Sequence, residues 1–138
     1  MAQFENPHVL SFIGIVLEDP LMVIIEFAEL GDLLGYLKKH AATMTAKIRK
    51  RFAGDCAEGL RYLHSRGFVH RDVAARNVLL SSGSRCKISD FGMSRDTESS
   101  AYYQSKGGAI PVRWSAPEVR ATSNRGGSTR FHAAVETD

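Results

Sequence analysis

The stretch His70-Arg71-Asp72-Val73-Ala74-Ala75-Arg76-Asn77 (HRDVAARN) decides how this chain of 138 residues is read. It places a carboxylate, Asp72, five residues before a carboxamide, Asn77, with Arg76 between them. Thirteen residues after Asn77 stands Asp90-Phe91-Gly92, and the intervening segment reads as strand, turn, strand: Val78 to Leu80, then Ser81-Ser82-Gly83-Ser84, then Cys86 to Ile88. Such a unit folds back on itself and can return Asp90 to the side of the loop. A third element, Ala116-Pro117-Glu118, closes the segment that Asp90 opens.

Any one of these triplets is weak alone; the three in this order resemble the catalytic loop, metal motif and activation segment of a protein kinase. The resemblance is to protein tyrosine kinases. Ala74 stands where serine/threonine kinases usually carry a Lys, Arg76 stands where many tyrosine kinases place an Arg near the substrate hydroxyl, and Pro111 to Glu118 reads PVRWSAPE. It implies an ATP- and Mg²⁺-dependent transferase in which Asp72 accepts the proton of a protein tyrosine hydroxyl, while Asn77 and Asp90 bind the metal. The residue types suit that chemistry. Phosphoryl transfer depends on positioning and charge neutralisation, and carboxylate and amide oxygens are hard ligands for Mg²⁺.

Within the activation segment, Tyr102-Tyr103 resembles the tandem tyrosines of insulin-receptor-like and focal adhesion kinase-like enzymes, whose phosphorylation orders the loop; Arg71 is the implied basic partner. Pro111, Val112, Arg113 and Trp114 would form the shelf under the substrate tyrosine. Implied partners are proteins bearing tyrosine and phosphotyrosine readers of the SH2 type at Tyr102 or Tyr103.

Upstream, Val9 to Leu17 and Leu21 to Phe27 are two apolar, β-compatible runs separated by Glu18-Asp19-Pro20, which predicts a hairpin of two largely buried strands. A short helix is predicted over Asp32 to Lys39 and a longer one over about Thr45 to Ser65. On the longer helix Ile48, Phe52, Cys56, Leu60 and Leu63 make an apolar stripe opposite Lys47, Arg51, Asp55 and Arg61. The family resemblance continues here, from the end of helix C through two strands to the hinge. It makes Ile25 the gatekeeper, sets the backbone of Glu26 and Ala28 against adenine, puts Leu79 under the base and places Asp32 near the ribose. Met1, Phe12, His70 and Phe91 match the family's regulatory spine. Cys56 reads as a core residue, Lys87 as a solvated strand position, and His64 and Arg66 as helix-end cations.

Composition narrows the alternatives. A formal charge of +3, from 18 Lys plus Arg against 15 Asp plus Glu, without a basic run interleaved with aromatics, does not suggest nucleic-acid binding. Two widely separated cysteines make neither a disulfide framework nor a metal spacing, which favours a reducing, cytoplasmic setting. For a receptor parent that setting would be the cytoplasmic side of the plasma membrane. No apolar run reaches the roughly 20 residues of a membrane span, and no signal peptide is evident.

The predicted fold class is α+β: an incomplete protein-kinase-like fold holding the last strands of the N-lobe, the hinge and the first half of the mainly helical C-lobe. Residues 1–118 read as a partial kinase domain, with 1–30 ending the N-lobe and hinge and 31–118 giving partial C-lobe. Residues 119–138, rich in Gly, Ser, Thr and Arg, read as a divergent, disordered tail. The family's Gly-rich loop, strand-three Lys and helix-C Glu have no counterpart: before Lys38 there is no Lys or Arg. Met1 matches an internal methionine of the family, which sets the start of the chain inside the domain. The alternative is therefore a catalytically inactive binding or interference module, or a phosphorylation substrate.

Overall fold

In a computed structural model of the chain, residues 4–90 are described throughout, together with the backbone of three short strands at 95–96, 103–104 and 130–131. The chain divides into two units, Met1–Tyr62 with Ala74–Asp90, and Leu63–Val73 with Phe91–Asp138. The mixed α and β content agrees with a partial kinase-like fold. Among the described residues no helix is long and apolar enough to cross a membrane.

The first unit begins with an antiparallel ribbon, β1 (Phe12–Val16) and β2 (Met22–Ile25), in which Phe12 faces Ile25 and Val16 faces Met22, with an irregularity between Phe12 and Gly14. The two apolar runs pair as their spacing predicts. Their burial does not follow the prediction. Every β2 residue is exposed, Ile25 at 50% and Val23 at 50%, and on β1 Ile13 is open at 64%. Apolar runs show which side chains favour cover, but a two-stranded ribbon has to borrow that cover from another layer. Among the described residues none closes over these side chains.

Helix α1 (Leu33–Lys39) starts one residue later than the sequence suggests, because Asp32 is its N-cap rather than its first turn: the carboxylate accepts the Gly35 N–H at 2.8 Å. Helix α2 (Ala46–Ser65) follows the predicted stripe, with Phe52 and Leu63 buried and Ile48, Cys56 and Leu60 half-buried. Asp55 departs from its predicted solvated face. Its Oδ2 accepts the Cys86 N–H at 3.0 Å, and its Oδ1 lies 3.9 Å from Nδ1 of His8.

A 3₁₀ turn, Ala75–Asn77, leads into β4 (Val78–Leu80), which pairs antiparallel with β5 (Cys86–Ile88), Leu79 opposite Lys87. The chain around Val9 adds to β5 in parallel: Ile88 N–H donates to the His8 carbonyl at 2.8 Å and Leu10 N–H to the Ile88 carbonyl at 2.9 Å. Val9, Leu80, Cys86 and Ile88 are almost wholly buried here, each apolar side chain contributing on the order of 1.5–3 kcal/mol by leaving water. Leu33, Leu37, Met44, Phe52 and Cys56 line a cavity of about 480 Å³.

In the second unit the last turn of α2 closes with Arg66 N–H to the Leu63 carbonyl and Gly67 N–H to the His64 carbonyl, Gly67 taking a φ of 69°. His64 and Arg66 are exposed there. Strand β3 (Phe68–Val69) then pairs with β6 (Arg95–Asp96), and β7 (Tyr103–Gln104) with β8 (Arg130–Phe131). Within the predicted tail, Arg130 and Phe131 thus lie in a strand pair; the rest of 119–138 lies outside the described residues.

Candidate active site

Residues flagged in the first unit converge on the β4–β5 ribbon. Leu30 N–H donates to the Leu80 carbonyl at 3.0 Å and Leu80 N–H to the Gly31 carbonyl at 2.8 Å, so the segment after β2 lies along β4. Gly31 turns the chain at a φ of 72°, a left-handed value that favours glycine. The bridge between Asp32 and Leu79 brings together two of the residues predicted to border a nucleotide. The carboxylate of Asp32 is committed to the α1 cap.

Glu26 is held from three directions. Its backbone N–H donates to the Ser11 carbonyl at 2.9 Å, its Oε2 accepts the Ser11 N–H at 3.2 Å, and its Oε1 lies 2.8 Å from Lys87 Nζ. Although burial pushes the Glu26 carboxyl up, the Lys87 ammonium and the Ser11 N–H together hold it below the usual carboxylate range. Lys87 is therefore not the solvated strand residue that its sequence suggests: only 11% of its side chain is exposed, and it ties the segment bearing Glu26 and Ala28 to β5. The alternation of β5, buried Cys86 and Ile88 around half-buried Lys87, signals that Lys87 faces away from the core. It carries no sign of the carboxylate waiting on that face, 61 residues away.

Ser89, unremarked in the sequence, joins the two halves of the candidate metal site. It donates to the Asn77 carbonyl from both its N–H and its Oγ, each at 2.9 Å. The residue before Asp90 is thus fastened to Asn77, and the strand-turn-strand unit returns as its spacing predicts. Asn77 is buried and Asp90 exposed. Asp90 has a φ of 61°, a strained value for a non-glycine residue; among the described residues only Arg71, at 70°, and Ser84, at 52°, share it. Strain of this kind costs on the order of 1–3 kcal/mol and concentrates at functional sites. A carboxylate and a carboxamide fit Mg²⁺, a hard cation that keeps several waters and takes few protein ligands.

In the second unit His70 and Asp72 are buried, and the Asp72 N–H donates to His70 Nδ1 at 3.3 Å. Arg71 is half-buried. Arg76, of the first unit, is exposed. Met1, Phe91, Tyr102, Pro111, Val112, Arg113, Trp114 and the Ala116-Pro117-Glu118 triplet lie outside the described residues, and Tyr103 is described only as backbone in β7.

Comparison with known proteins gives a match of residues 1–129 to the family described as protein tyrosine and serine/threonine kinase. Ephrin type-A receptor 7 of Gallus gallus is 45% identical over 122 residues, covering 86% of this chain and 12% of that receptor. Ephrin type-A receptor 5 of Gallus gallus and of Rattus norvegicus are each 41% identical over 124 residues, covering 88% of this chain and 12% of the receptor. The chain thus spans 12% of the length of these relatives.

Proposed function

Because this chain belongs to the protein tyrosine and serine/threonine kinase family, we propose that it carries the hinge, catalytic loop and metal motif of a protein tyrosine kinase, which transfers the terminal phosphoryl group of ATP to tyrosine in protein substrates. The observation that carries this reading is the double hydrogen bond from Ser89 to the Asn77 carbonyl, which fastens the start of the Asp90 motif to the end of the catalytic loop. Members of the family generally use ATP and Mg²⁺.

In this reading the backbone of Glu26 and Ala28 meets adenine. The Glu26 N–H is already given to Ser11, so the Glu26 carbonyl is the group offered to an exocyclic amine. Leu79 packs under the base and Asp32 borders the ribose. Asn77 and Asp90 supply the oxygens that would hold Mg²⁺, and bound Mg²⁺-ATP supplies the phosphoryl group and neutralises the charge of its oxygens. Asp72 orients the tyrosine hydroxyl and takes its proton, and Arg76 approaches the same hydroxyl. Pro111, Val112, Arg113 and Trp114 support the tyrosine ring. Phosphorylation at Tyr102 or Tyr103 recruits Arg71 and offers a docking point for SH2-type readers. The setting is cytoplasmic, or the cytoplasmic side of the plasma membrane in a receptor.

Nucleotide binding tests the site itself. Titration with ATP should show affinity that rises with Mg²⁺ and loses that dependence in Asp90→Asn. Equal affinity with and without Mg²⁺ would remove Asn77 and Asp90 from the metal role.

A further inference from the structure

The cavity of about 480 Å³ in the first unit takes no part in the proposed phosphoryl transfer. Leu33 and Leu37 of α1, Met44 of the connection that follows, and Phe52 and Cys56 of α2 give it an apolar wall. Its size falls within the roughly 300–1,000 Å³ of small-molecule sites, which are mostly apolar and carry a few polar groups that fix orientation. One residue of the lining is charged. Arg49, in the first turn of α2, lines the cavity and is exposed, so it marks where the space opens to solvent. Among the described residues its guanidinium makes no hydrogen bond and no ion pair.

The stretch that builds this cavity carries charge of one sign. From Leu33 to Gly54 stand Lys38, Lys39, Lys47, Arg49, Lys50 and Arg51, with no Asp or Glu among them. The acids that flank the stretch are engaged elsewhere: Asp32 caps α1 through the Gly35 N–H, and Asp55 accepts the Cys86 N–H. No acidic residue offsets the first turn of α2, so the positive end of its dipole adds to the same field. An apolar hollow that opens beside an unbalanced cation is complementary to a molecule with an apolar tail and one anionic head. A cation would meet a field of the wrong sign, and a wholly polar anion would leave the wall without a partner.

We propose that this cavity binds a fatty-acid-like monocarboxylate, with its alkyl chain against Leu33, Leu37, Met44 and Phe52 and its carboxylate on the Arg49 guanidinium. The planar guanidinium presents two parallel N–H donors that match the two carboxylate oxygens. Because Arg49 is exposed, the ion pair forms near water and contributes modestly by itself. The chain therefore supplies most of the affinity, and Arg49 selects the head group. Each CH₂ removed from the chain should weaken binding by about fourfold.

The test is titration of the full chain with dodecanoate, kept below its micellar concentration and followed by calorimetry and by NMR of the methionine methyl groups. The expected result is a saturable shift of the Met44 methyl, while Met22, 49% exposed on β2, stays unmoved. Decanoate, two CH₂ groups shorter, should bind about fifteenfold more weakly. Arg49→Glu places an acid at an exposed position near the positive end of α2, where the fold accepts it. It should weaken dodecanoate binding by about tenfold and leave dodecan-1-ol binding unchanged. A shift at Met22 in place of Met44 would assign the binding to the exposed ribbon and overturn the proposal. Equal affinity for dodecanoate and dodecylammonium, or undiminished dodecanoate binding in Arg49→Glu, would overturn it as well.

Discussion

Gly59 and Gly54 stand on the same helix, and alanine at the two positions should act in opposite directions. A Cβ at Gly59 would overlap the carbonyl oxygen of His8 and lie 3.0 Å from Cγ1 of Ile88. That carbonyl cannot simply step aside, because it accepts the Ile88 N–H at 2.8 Å in the pairing that adds residues 8–10 to β5. Helix propensity alone favours Ala over Gly by about 0.8–1 kcal/mol. Against it stand an overpacking cost of about 1–3 kcal/mol and the weakening of a buried hydrogen bond, about 1 kcal/mol. Gly59→Ala should therefore destabilise the chain by about 1–3 kcal/mol. Gly54 is exposed with no atom within 4 Å of its added Cβ, so Gly54→Ala keeps the propensity gain and should stabilise by up to about 1 kcal/mol. Urea unfolding followed by far-UV circular dichroism measures both. Equal stabilisation by the two substitutions would refute the close packing of α2 against the His8 backbone.

The Glu26–Lys87 pair should give stability an acid limb. The folded-state pKa of Glu26 is lowered, so its contribution is complete above the unfolded value of about 4.3 and is lost as pH falls through the lower folded value. Glu26→Gln should leave Lys87 unbalanced, cost about 1–3 kcal/mol at neutral pH and flatten that limb; pH-dependent unfolding curves that coincide for the two proteins would contradict it. Asp32→Ala removes the α1 cap at Gly35 and should cost about 1 kcal/mol, read from thermal unfolding; Asp32→Ser, which can still cap, should restore most of it.

Local pattern carried much of this architecture. The three- and four-residue spacing from Ile48 to Leu63 marks α2 and its buried side, and the turn formers at Ser81 to Ser84 mark the β4–β5 return. Cap geometry was half legible: Asp32 signals a helix start, but whether it caps or continues depends on its φ of −78° and ψ of 146°. Long-range partners were not legible. Asp55 lies on the predicted polar side of α2, yet meets a backbone N–H from β5, and Lys87 finds Glu26 only once the segment after β2 has folded along β4. Nor does alternation along a single strand report what covers a ribbon, which is why the exposure of Ile13 and Val23 had no sequence signal. At the candidate site, the motif residues Asn77 and Asp90 stand out by type and spacing. Ser89, which fastens them, does not, because a serine beside a strand end is ordinary.

The most direct measurement is phosphotransfer by this chain to a tyrosine peptide with Mg²⁺-ATP, beside Asp72→Asn. Asp72 is buried with its backbone N–H given to His70, so the substitution changes one atom type at a fixed position. Loss of a positioned general base should lower turnover by about 10²–10⁴-fold. Transfer by the natural chain that Asp72→Asn leaves intact would contradict the assignment of the catalytic loop.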